Sequence, residues 1–262
     1  MCGISGAISF SGARDELDRA VRKMNSCQAL RGPDDEGLFS FGPASSAAGG
    51  AVVFGHRRLS IIDLSSDGHQ PMSFGDIHIT FNGEIYNFEE VKKELTAKGC
   101  VFKTKTDTEV ILFAYKEWGI ASFKKLRGMF SFAIFDSKKE ELVLARDPYG
   151  IKPLYYAKTE KGLVFASTVS AIKESSLIEP SEDPEAKIGF LLFGSVPLPQ
   201  TTFKEIRSVR AGHYLEFAKG KAEEKMYYDS LAPFLRKISP SKEEAVLKVR
   251  ELLEESVRLH LV

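Results

Sequence analysis

The stretch MFSFAIF at residues 129–135, with SKKEE at 137–141 and LVLA at 142–145, decides the fold class. Its two apolar runs flank a short charged segment, which is the pattern of an antiparallel hairpin. The first run is apolar at nearly every position, and a strand of that kind is covered on both faces. The hairpin therefore predicts a sheet that lies inside the protein.

Short β-branched or aromatic segments predict further strands around this hairpin. The full set is 2–10, 51–55, 77–82, 129–136, 141–146, 163–167 and 213–217. Two helices are clear: one runs from Phe88 to Lys98 between Asn87 as N-cap and Gly99, and the other from Asp107-Thr108 to Trp118. Because strands outnumber helices and adjoin one another, we expect an α+β fold of stacked antiparallel sheets flanked by helices.

Composition narrows the class of protein. The 262 residues include 36 basic and 36 acidic side chains, so the balanced charge indicates neither a nucleic-acid nor a membrane partner. The 3 cysteines form no CxxC pair, which argues against a disulfide framework and leaves too few thiols for a zinc or iron–sulfur site. No apolar run reaches the ~20 residues that span a bilayer. The first residues lack a charged segment followed by an apolar core, so we expect no signal peptide. We expect a cytoplasmic protein without a metal site.

The pattern changes after residue 180. Residues 179–184 form a turn-rich break, and residues 196–212 are typical of an irregular connection. Residues 242–261 predict an amphipathic helix with an apolar stripe of Val246, Val249, Leu253, Val257 and Leu261. The stripe stops without a cap, and we therefore expect the natural protein to continue.

Cys2 is the first candidate for chemistry. Removal of Met1 would leave a cysteine whose thiolate is a nucleophile and whose α-amino group, with an ordinary pKa of roughly 7.7–8.0, can relay a proton. Gly3 and Gly6 suit a backbone that lies close to a substrate. A small buried cysteine at the start of a strand would give the same residues, so Cys2 alone leaves both interpretations open.

Three further motifs are ambiguous by themselves. Asn82-Gly83 precedes a helix, where an amide and an N–H group could form an oxyanion hole, although Asn-Gly is also common in turns. Arg58, ahead of the strand-like run 59–64, offers a planar fork for a carboxylate or is merely solvated. Asp107 could hold an ammonium group or serve only as an N-cap.

Charged runs at 31–37 and 146–156 predict loops of the kind that line functional sites. A cysteine–histidine dyad would need His56 or His69 beside Cys2, and the spacing does not support it.

Together these motifs resemble the class II glutamine amidotransferases, which are N-terminal nucleophile hydrolases, and within them most closely the asparagine synthetase family. The resemblance runs over residues 2–180 and rests on Cys2-Gly3-Ile4, the runs 31–37, 58–63, 82–87 and 146–156, and their order along the chain. It implies the four-layer αββα sandwich of that class, followed by a C-terminal helical connection.

The resemblance also implies roles for individual residues. Cys2 would attack the side-chain amide of L-glutamine and form a thioester, while Asn82 and Gly83 would stabilise the oxyanion. Glutamine itself would be bound by Arg58 at its α-carboxylate, by Asp107 and Glu84 at its α-ammonium group, and by the backbone around Ile61 and Ile62. The products would be glutamate and ammonia, and no metal or cofactor is expected for this step.

The family resemblance predicts a glutaminase domain at 2–180 and, at 181–262, a linker, outer strands and the start of a synthetase domain. The family's second domain uses ATP and Mg²⁺ and carries a Ser-Gly-Gly-x-Asp-Ser loop that these 262 residues lack. That domain would be the partner that receives ammonia, and a homodimer is one candidate assembly.

Three alternatives stay open. The domain could serve a paralogue that amidates a sugar, a peptide or another carboxylate. It could belong to hexosamine or purine synthesis, although the 31–37 and 150–156 runs fit the asparagine type better. It could also be a non-catalytic regulatory domain.

Overall fold

The computed structural model describes residues 1–11, 14–43, 50–235 and 238–261. Its strands are β1 (Gly3–Ser9), β2 (Asp35–Phe41), β3 (Ala51–Arg58), β4 (Met72–Phe74), β5 (Ile77–Ile85), β6 (Gly128–Asp136), β7 (Glu141–Arg146), β8 (Tyr155–Lys158), β9 (Gly162–Ala166), β10 (Ile206–Ser208), β11 (His213–Ala218) and β12 (Lys221–Met226). Its helices are α1 (Arg14–Cys27), α2 (Phe88–Ala97), α3 (Asp107–Trp118), α4 (Val169–Glu174), α5 (Pro184–Phe193) and α6 (Lys242–His260).

The strands form two six-stranded sheets whose described pairings are all antiparallel. The first sheet has the order β10-β8-β9-β1-β3-β2, and the second has the order β12-β11-β7-β6-β5-β4. Helices α1 and α4 pack on the outer face of the first sheet, while α3, backed by α2, packs on the outer face of the second. The expected αββα sandwich of stacked antiparallel sheets is therefore confirmed.

The middle of the sandwich is an apolar layer contributed by both sheets. Large side chains of β1, β3 and β9 meet those of β6, β7 and β11: Ile4, Ile8, Val52, Phe54, Leu163 and Phe165 against Ala133, Phe135, Leu142, Leu144, Leu215 and Phe217. Phe54 and Phe165 stack edge to face at 5.5 Å between ring centroids. This layer holds the two sheets face to face, so the ends of β1 and β3 lie over β5.

All seven predicted strands are present, and two of them extend three residues beyond their predicted ends. β3 continues to Arg58 and β5 to Ile85 because their ladders with β2 and β6 continue to those residues. The sequence analysis missed β2, β4, β8, β10, β12, α1, α4 and α5. Most of the missed strands are short or lie at sheet edges, where one face is polar and the apolar signal is weak.

Three local predictions were wrong in whole or in part. The run 59–64 is an irregular loop, since the Arg58 guanidinium binds the Ile62 carbonyl within it and Asp63 adopts a positive φ of 57°. The run 31–37 is a loop only up to residue 34, because Asp35 begins β2. The run 146–156 is a loop only between the end of β7 at Arg146 and the start of β8 at Tyr155.

The N-cap position of α2 is Asn87, as predicted, but its side chain makes no capping hydrogen bond. It bonds the backbone of Lys125 and Arg127 instead.

The C-terminal part contributes to both sheets. β10 lies within the region predicted as irregular, and β11 and β12 extend the second sheet outward. The predicted C-terminal helix is confirmed as α6, which begins with a capping box between Ser241 and Glu244. In the described ranges, none of the helices is both long enough and apolar enough to cross a bilayer.

Truncation of Phe165 should test the central layer. Phe165→Ala removes a ring that is fully buried between the sheets, and we expect it to lower the free energy of unfolding by about 3–5 kcal/mol. Urea denaturation measures this loss. Phe234→Ala, at a site 83% exposed, is the control and should change the value by less than about 0.5 kcal/mol. Equal losses at both positions would contradict the assignment of the core.

Candidate active site

Cys2 lies at the end of the first sheet, directly before the central strand β1. Because Gly3 pairs with Arg57 across the β1–β3 ladder, Cys2 lies against the residues that follow β3. Its Sγ accepts a hydrogen bond from the Leu59 N–H at 3.4 Å and lies 3.6 Å from the Leu59 carbonyl oxygen. The Cys2 carbonyl accepts a hydrogen bond from Arg31 Nε at 3.0 Å. Backbone and thiol are thus both held in place.

A cavity of about 250 Å³ opens in front of the Cys2 thiol. All eight residues predicted for the site line it: Cys2, Arg58, Ile61, Ile62, Asn82, Gly83, Glu84 and Asp107. They come from strands of both sheets, from the loop after β3 and from the first turn of α3. Met1, Gly68, Gln70 and Lys152 also line the cavity. The structure therefore brings together the predicted residues, which are up to 105 positions apart (Asp107 minus Cys2).

The opposite wall carries two donors without a described partner. The Asn82 side chain is buried, and its Nδ2 has no hydrogen-bond partner in the part of the chain that the structure describes. Phe81 and Ile85 donate their N–H groups away from β6, to Gln70 Oε1 at 2.7 Å and to Asp107 Oδ2 at 3.0 Å. Alternate residues of a strand turn their N–H groups to the same edge, so the Gly83 N–H faces that edge as well.

Gly83 has no room for a side chain. A Cβ at this position would lie 2.2 Å from the Met129 carbonyl oxygen and 2.7 Å from the Phe130 Cα. Because both contacts are to backbone atoms of β6, the neighbouring strand cannot give way. Glycine thus lets β5 keep its pairing with β6 while the 83 N–H faces the cavity.

Arg58 is buried and also supports the loop that follows it. It shares a strand face with His56, since the two are two residues apart, and that face points to the second sheet. Its guanidinium donates to the Ser65 carbonyl at 2.9 Å, to the Ile62 carbonyl at 3.4 Å and to the Asp63 carbonyl. Two of its five N–H donors are then left for a ligand in the cavity.

Asp107 is the first residue of α3, whose N-cap is Thr106 rather than Asp107. Burial raises the pKa of the Asp107 carboxyl to about 7, against the hydrogen bonds that it accepts from the backbone of Ile85 and Thr108, and the nearby Glu84 raises it further. A positive charge in the cavity would lower this pKa and favour the ionised carboxylate. The Asp107 carboxyl would therefore interact favourably with a cationic ligand.

Burial also dominates the electrostatics around the thiol. It raises the pKa of the Cys2 thiol, while the hydrogen bond from Leu59, the N-terminal amine, Arg58 and Lys152 act in the opposite direction. The pKa of the N-terminal amine, here that of Met1, is lowered by burial, and Arg31 and Lys152 lower it further. Both groups are thus driven toward their neutral forms.

Neither histidine considered as a base touches Cys2. His56 is fully buried, and its Nδ1 lies 3.1 Å from Thr80 Oγ1, which in turn donates to the Gly55 carbonyl. Burial, with Arg58 next in effect, lowers the pKa of His56 to about 3, so the ring is neutral. His69 pairs with Asp35 at 2.7 Å. The prediction that the thiol lacks a histidine partner agrees with these contacts.

The sequence analysis missed three residues of the site. Arg31 and Lys152 stood in charged runs recognised only as loops, and their contact with the Cys2 region depends on how those loops fold back. Gln70, whose side chain bonds Phe81 and Thr108, gave no signal in the sequence.

Comparison with known proteins identifies relatives of the whole chain. A model of the glutamine amidotransferase domain family matches residues 1–228. Asparagine synthetase (glutamine-hydrolyzing) 1 of Bacillus subtilis is 35% identical over 100% of this chain and 40% of its own length. Amidase chry2 of Gibberella zeae is 34% identical over 100% of this chain and 39% of its own length. Among the relatives that match the whole chain, it spans 39–52% of their length.

A solved structure supports the fold. The glutamine phosphoribosylpyrophosphate amidotransferase of Bacillus subtilis superposes with a TM-score of 0.62 over 87% of this chain and 49% of its own, at 20% sequence identity. At that identity the likeness concerns the arrangement of the sheets and helices.

The buried ring of His56 should make stability depend on pH. Its pKa is about 3 in the folded protein and about 6.5 in the unfolded chain, so the unfolded state binds the proton more tightly. We expect the free energy of unfolding to be highest above pH 6.5 and to fall by about 1.4 kcal/mol per pH unit below it through this group. Urea denaturation between pH 8 and pH 4 measures the slope.

His56→Gln should reduce that slope by about 1.4 kcal/mol per pH unit, which corresponds to the uptake of one proton on unfolding, because glutamine does not titrate. His260→Gln, on the exposed helix α6, is the matched control and should leave the slope unchanged. A slope that is the same in all three proteins would show that the ring does not need to be neutral in the fold.

Proposed function

Because the chain belongs to the glutamine amidotransferase domain family, we propose that it hydrolyses the side-chain amide of L-glutamine to glutamate and ammonia with Cys2 as the nucleophile. The observation that carries this proposal is that Cys2, Asn82 and Gly83 line one cavity, in which Asn82 Nδ2 has no hydrogen-bond partner among the described residues. The domain is homologous to the corresponding part of the glutamine-hydrolyzing asparagine synthetases.

The proposed reaction begins once Met1 is removed. The free α-amino group of Cys2 takes the thiol proton, and the thiolate attacks the amide carbon of glutamine. The oxyanion accepts hydrogen bonds from Asn82 Nδ2 and the Gly83 N–H, each worth ~10²–10³ in rate in comparable sites. The amine then returns its proton to the leaving nitrogen, so ammonia departs and a thioester remains. Water, deprotonated by the same amine, releases glutamate.

The ends of the cavity suit the two charges of an amino acid. We assign the α-carboxylate of glutamine to the remaining donors of Arg58, and the α-ammonium group to Asp107 and Glu84. Backbone groups around Ile61 and Ile62 form the side of the pocket, on the loop that Arg58 itself holds. This step, as proposed, requires no metal ion or cofactor.

The fate of the ammonia is a separate proposal. This chain covers only 42% and 40% of two relatives that are named as asparagine synthetases. We propose that ammonia passes to an ATP- and Mg²⁺-dependent domain that forms asparagine. One relative that matches the full chain is named an amidase and not an asparagine synthetase, so we keep, as the second candidate, a domain whose ammonia amidates a carboxylate other than that of aspartate.

We propose the cytoplasm as the site of action. Cys2, Cys27 and Cys100 are all free thiols, which suits a reducing compartment. Assembly as a homodimer stays a prediction.

Alkylation of the nucleophile tests the proposed function. The glutamine analogue 6-diazo-5-oxo-norleucine should label Cys2, and Cys2→Ala should abolish glutamate release while the protein keeps its unfolding free energy. Peptide mass spectrometry locates the label, and intact mass shows whether active protein begins at Cys2. Cys27→Ala and Cys100→Ala are controls that should stay active. Labelling at either of those cysteines, or active protein that retains Met1, would refute the mechanism.

The pKa of Asp107 predicts how glutamine binding depends on pH. Above pH 7 the carboxyl is ionised and attracts the α-ammonium group, whereas below pH 7 it is protonated. We therefore expect the Kd of glutamine to rise by up to about tenfold from pH 7.5 to pH 6. Calorimetric titration of Cys2→Ala protein, which binds without turnover, measures this change.

Asp107→Asn in the same background should bind glutamine more weakly and lose the pH dependence. Asp15→Asn, which removes an exposed carboxylate on α1, should keep the parental slope. A Kd that is independent of pH in the parent would show that another group binds the ammonium.

A further inference from the structure

Lys152 enters the cavity from a rigid turn. The turn joins β7 to β8, and the Lys152 N–H donates to Asp147 Oδ2 at 2.9 Å. The Lys152 carbonyl accepts a hydrogen bond from Arg146 Nε at 2.8 Å. Arg146 is itself bound to the Val209 carbonyl and to Ser208 Oγ, both at 2.8 Å. The backbone of Lys152 is therefore tied to the end of β7 and, through Arg146, to the end of β10.

The Lys152 side chain is buried and its charge is not paired. Only 6% of the residue is exposed, and it lines the cavity beside Met1 and Cys2. Within the described residues, its ammonium has neither a carboxylate within 4.0 Å nor a hydrogen-bond acceptor within 3.5 Å. The Nζ atom itself keeps access to the cavity, so its charge is available to the groups that line the cavity.

The charge of Lys152 acts on the Cys2 thiol, which gives up a proton in the proposed reaction, and on the Met1 amine, whose place at the N-terminus the Cys2 amine would take once Met1 is removed. Lys152 lowers the pKa of the Cys2 thiol and also that of the N-terminal amine. The amine is faced in addition by Arg31 and Asp34, and the thiol by Arg58. Arg31 and Arg58 bind backbone carbonyl groups with their guanidinium groups. The Lys152 ammonium makes no such hydrogen bond within the described residues.

We propose that Lys152 is a positioning residue for amide hydrolysis, whose ammonium keeps the α-amino group of Cys2 unprotonated and favours the thiolate. This inference rests on the proposed function. In physical terms, a fixed positive charge disfavours a second positive charge on the amine and favours a negative one on sulfur. Both effects make the proton-accepting amine and the nucleophile available at neutral pH.

The test is the pH profile of kcat/KM for glutamate release by the 262-residue chain, whose acid limb reports the amine in the free enzyme. We expect Lys152→Met to move that limb to higher pH by about one unit. At pH values on the acid limb, kcat/KM should therefore fall about tenfold. Lys152→Arg should restore the position of the limb. Lys158→Met, which removes an exposed lysine, should leave it unchanged. Intact mass must show that Met1 is removed from each variant.

Two results would overturn the role of Lys152. One is an acid limb at the same pH in Lys152→Met and the parent. The other is a loss of equal size at every pH, as expected of a residue that only holds substrate. Neither result bears on the proposed function. That function fails only if the parent protein releases no glutamate or if Cys2→Ala remains active.

A second measurement covers the case in which Lys152→Met does not fold. The pH dependence of Cys2 alkylation by iodoacetamide can be followed in Lys152→Gln, which keeps a long polar side chain. A shift of that profile to higher pH supports the proposal, and an unchanged profile overturns it.

Discussion

The packing of the two sheets against each other is the constraint on which the site depends. Cys2 belongs to one sheet and Asn82 and Gly83 to the other, so their approach requires the apolar layer between the sheets. Near the site a polar link joins the sheets as well: His56 on β3 meets Thr80 on β5, and Thr80 donates to the Gly55 carbonyl. Because Thr80 and Asn82 share a strand face, this link also aims Asn82 at the first sheet.

Burial shapes the chemistry of the cavity as much as the choice of residues does. It raises the pKa of Asp107 and of the Cys2 thiol and lowers the pKa of the N-terminal amine. Without ligand, burial thus favours the neutral form of all three groups. In the proposed binding mode, a zwitterionic ligand would bring its own charges, which would pair with Arg58 and with Asp107. Such a cavity would favour an amino acid over an uncharged amide.

Arg58 both holds the loop that lines the pocket and contributes a positive charge to the pocket. Its guanidinium binds carbonyl groups of the loop that follows β3, and that loop supplies Ile61 and Ile62 to the cavity wall. Gly68 lies so close that a Cβ there would be 1.9 Å from the guanidinium. One side chain therefore shapes the pocket and places a positive charge inside it, and neither property can change without the other.

The sequence by itself determined the layers and indicated the candidate residues of the site. Apolar runs such as 129–135 show which strands are buried on both faces, whereas Cys2, Arg58, Asn82 and Asp107 are ambiguous one by one and became candidates only through the order of their motifs along the chain. Edge strands such as β12, four of whose six residues are charged, could not be found in this way. Only the tertiary structure decided that Arg31 and Lys152 flank the nucleophile and that the loop after β3 is not a strand. The physical reason is that these contacts join residues far apart in the chain through sheet pairing, whereas local sequence patterns record only which face of an element is covered.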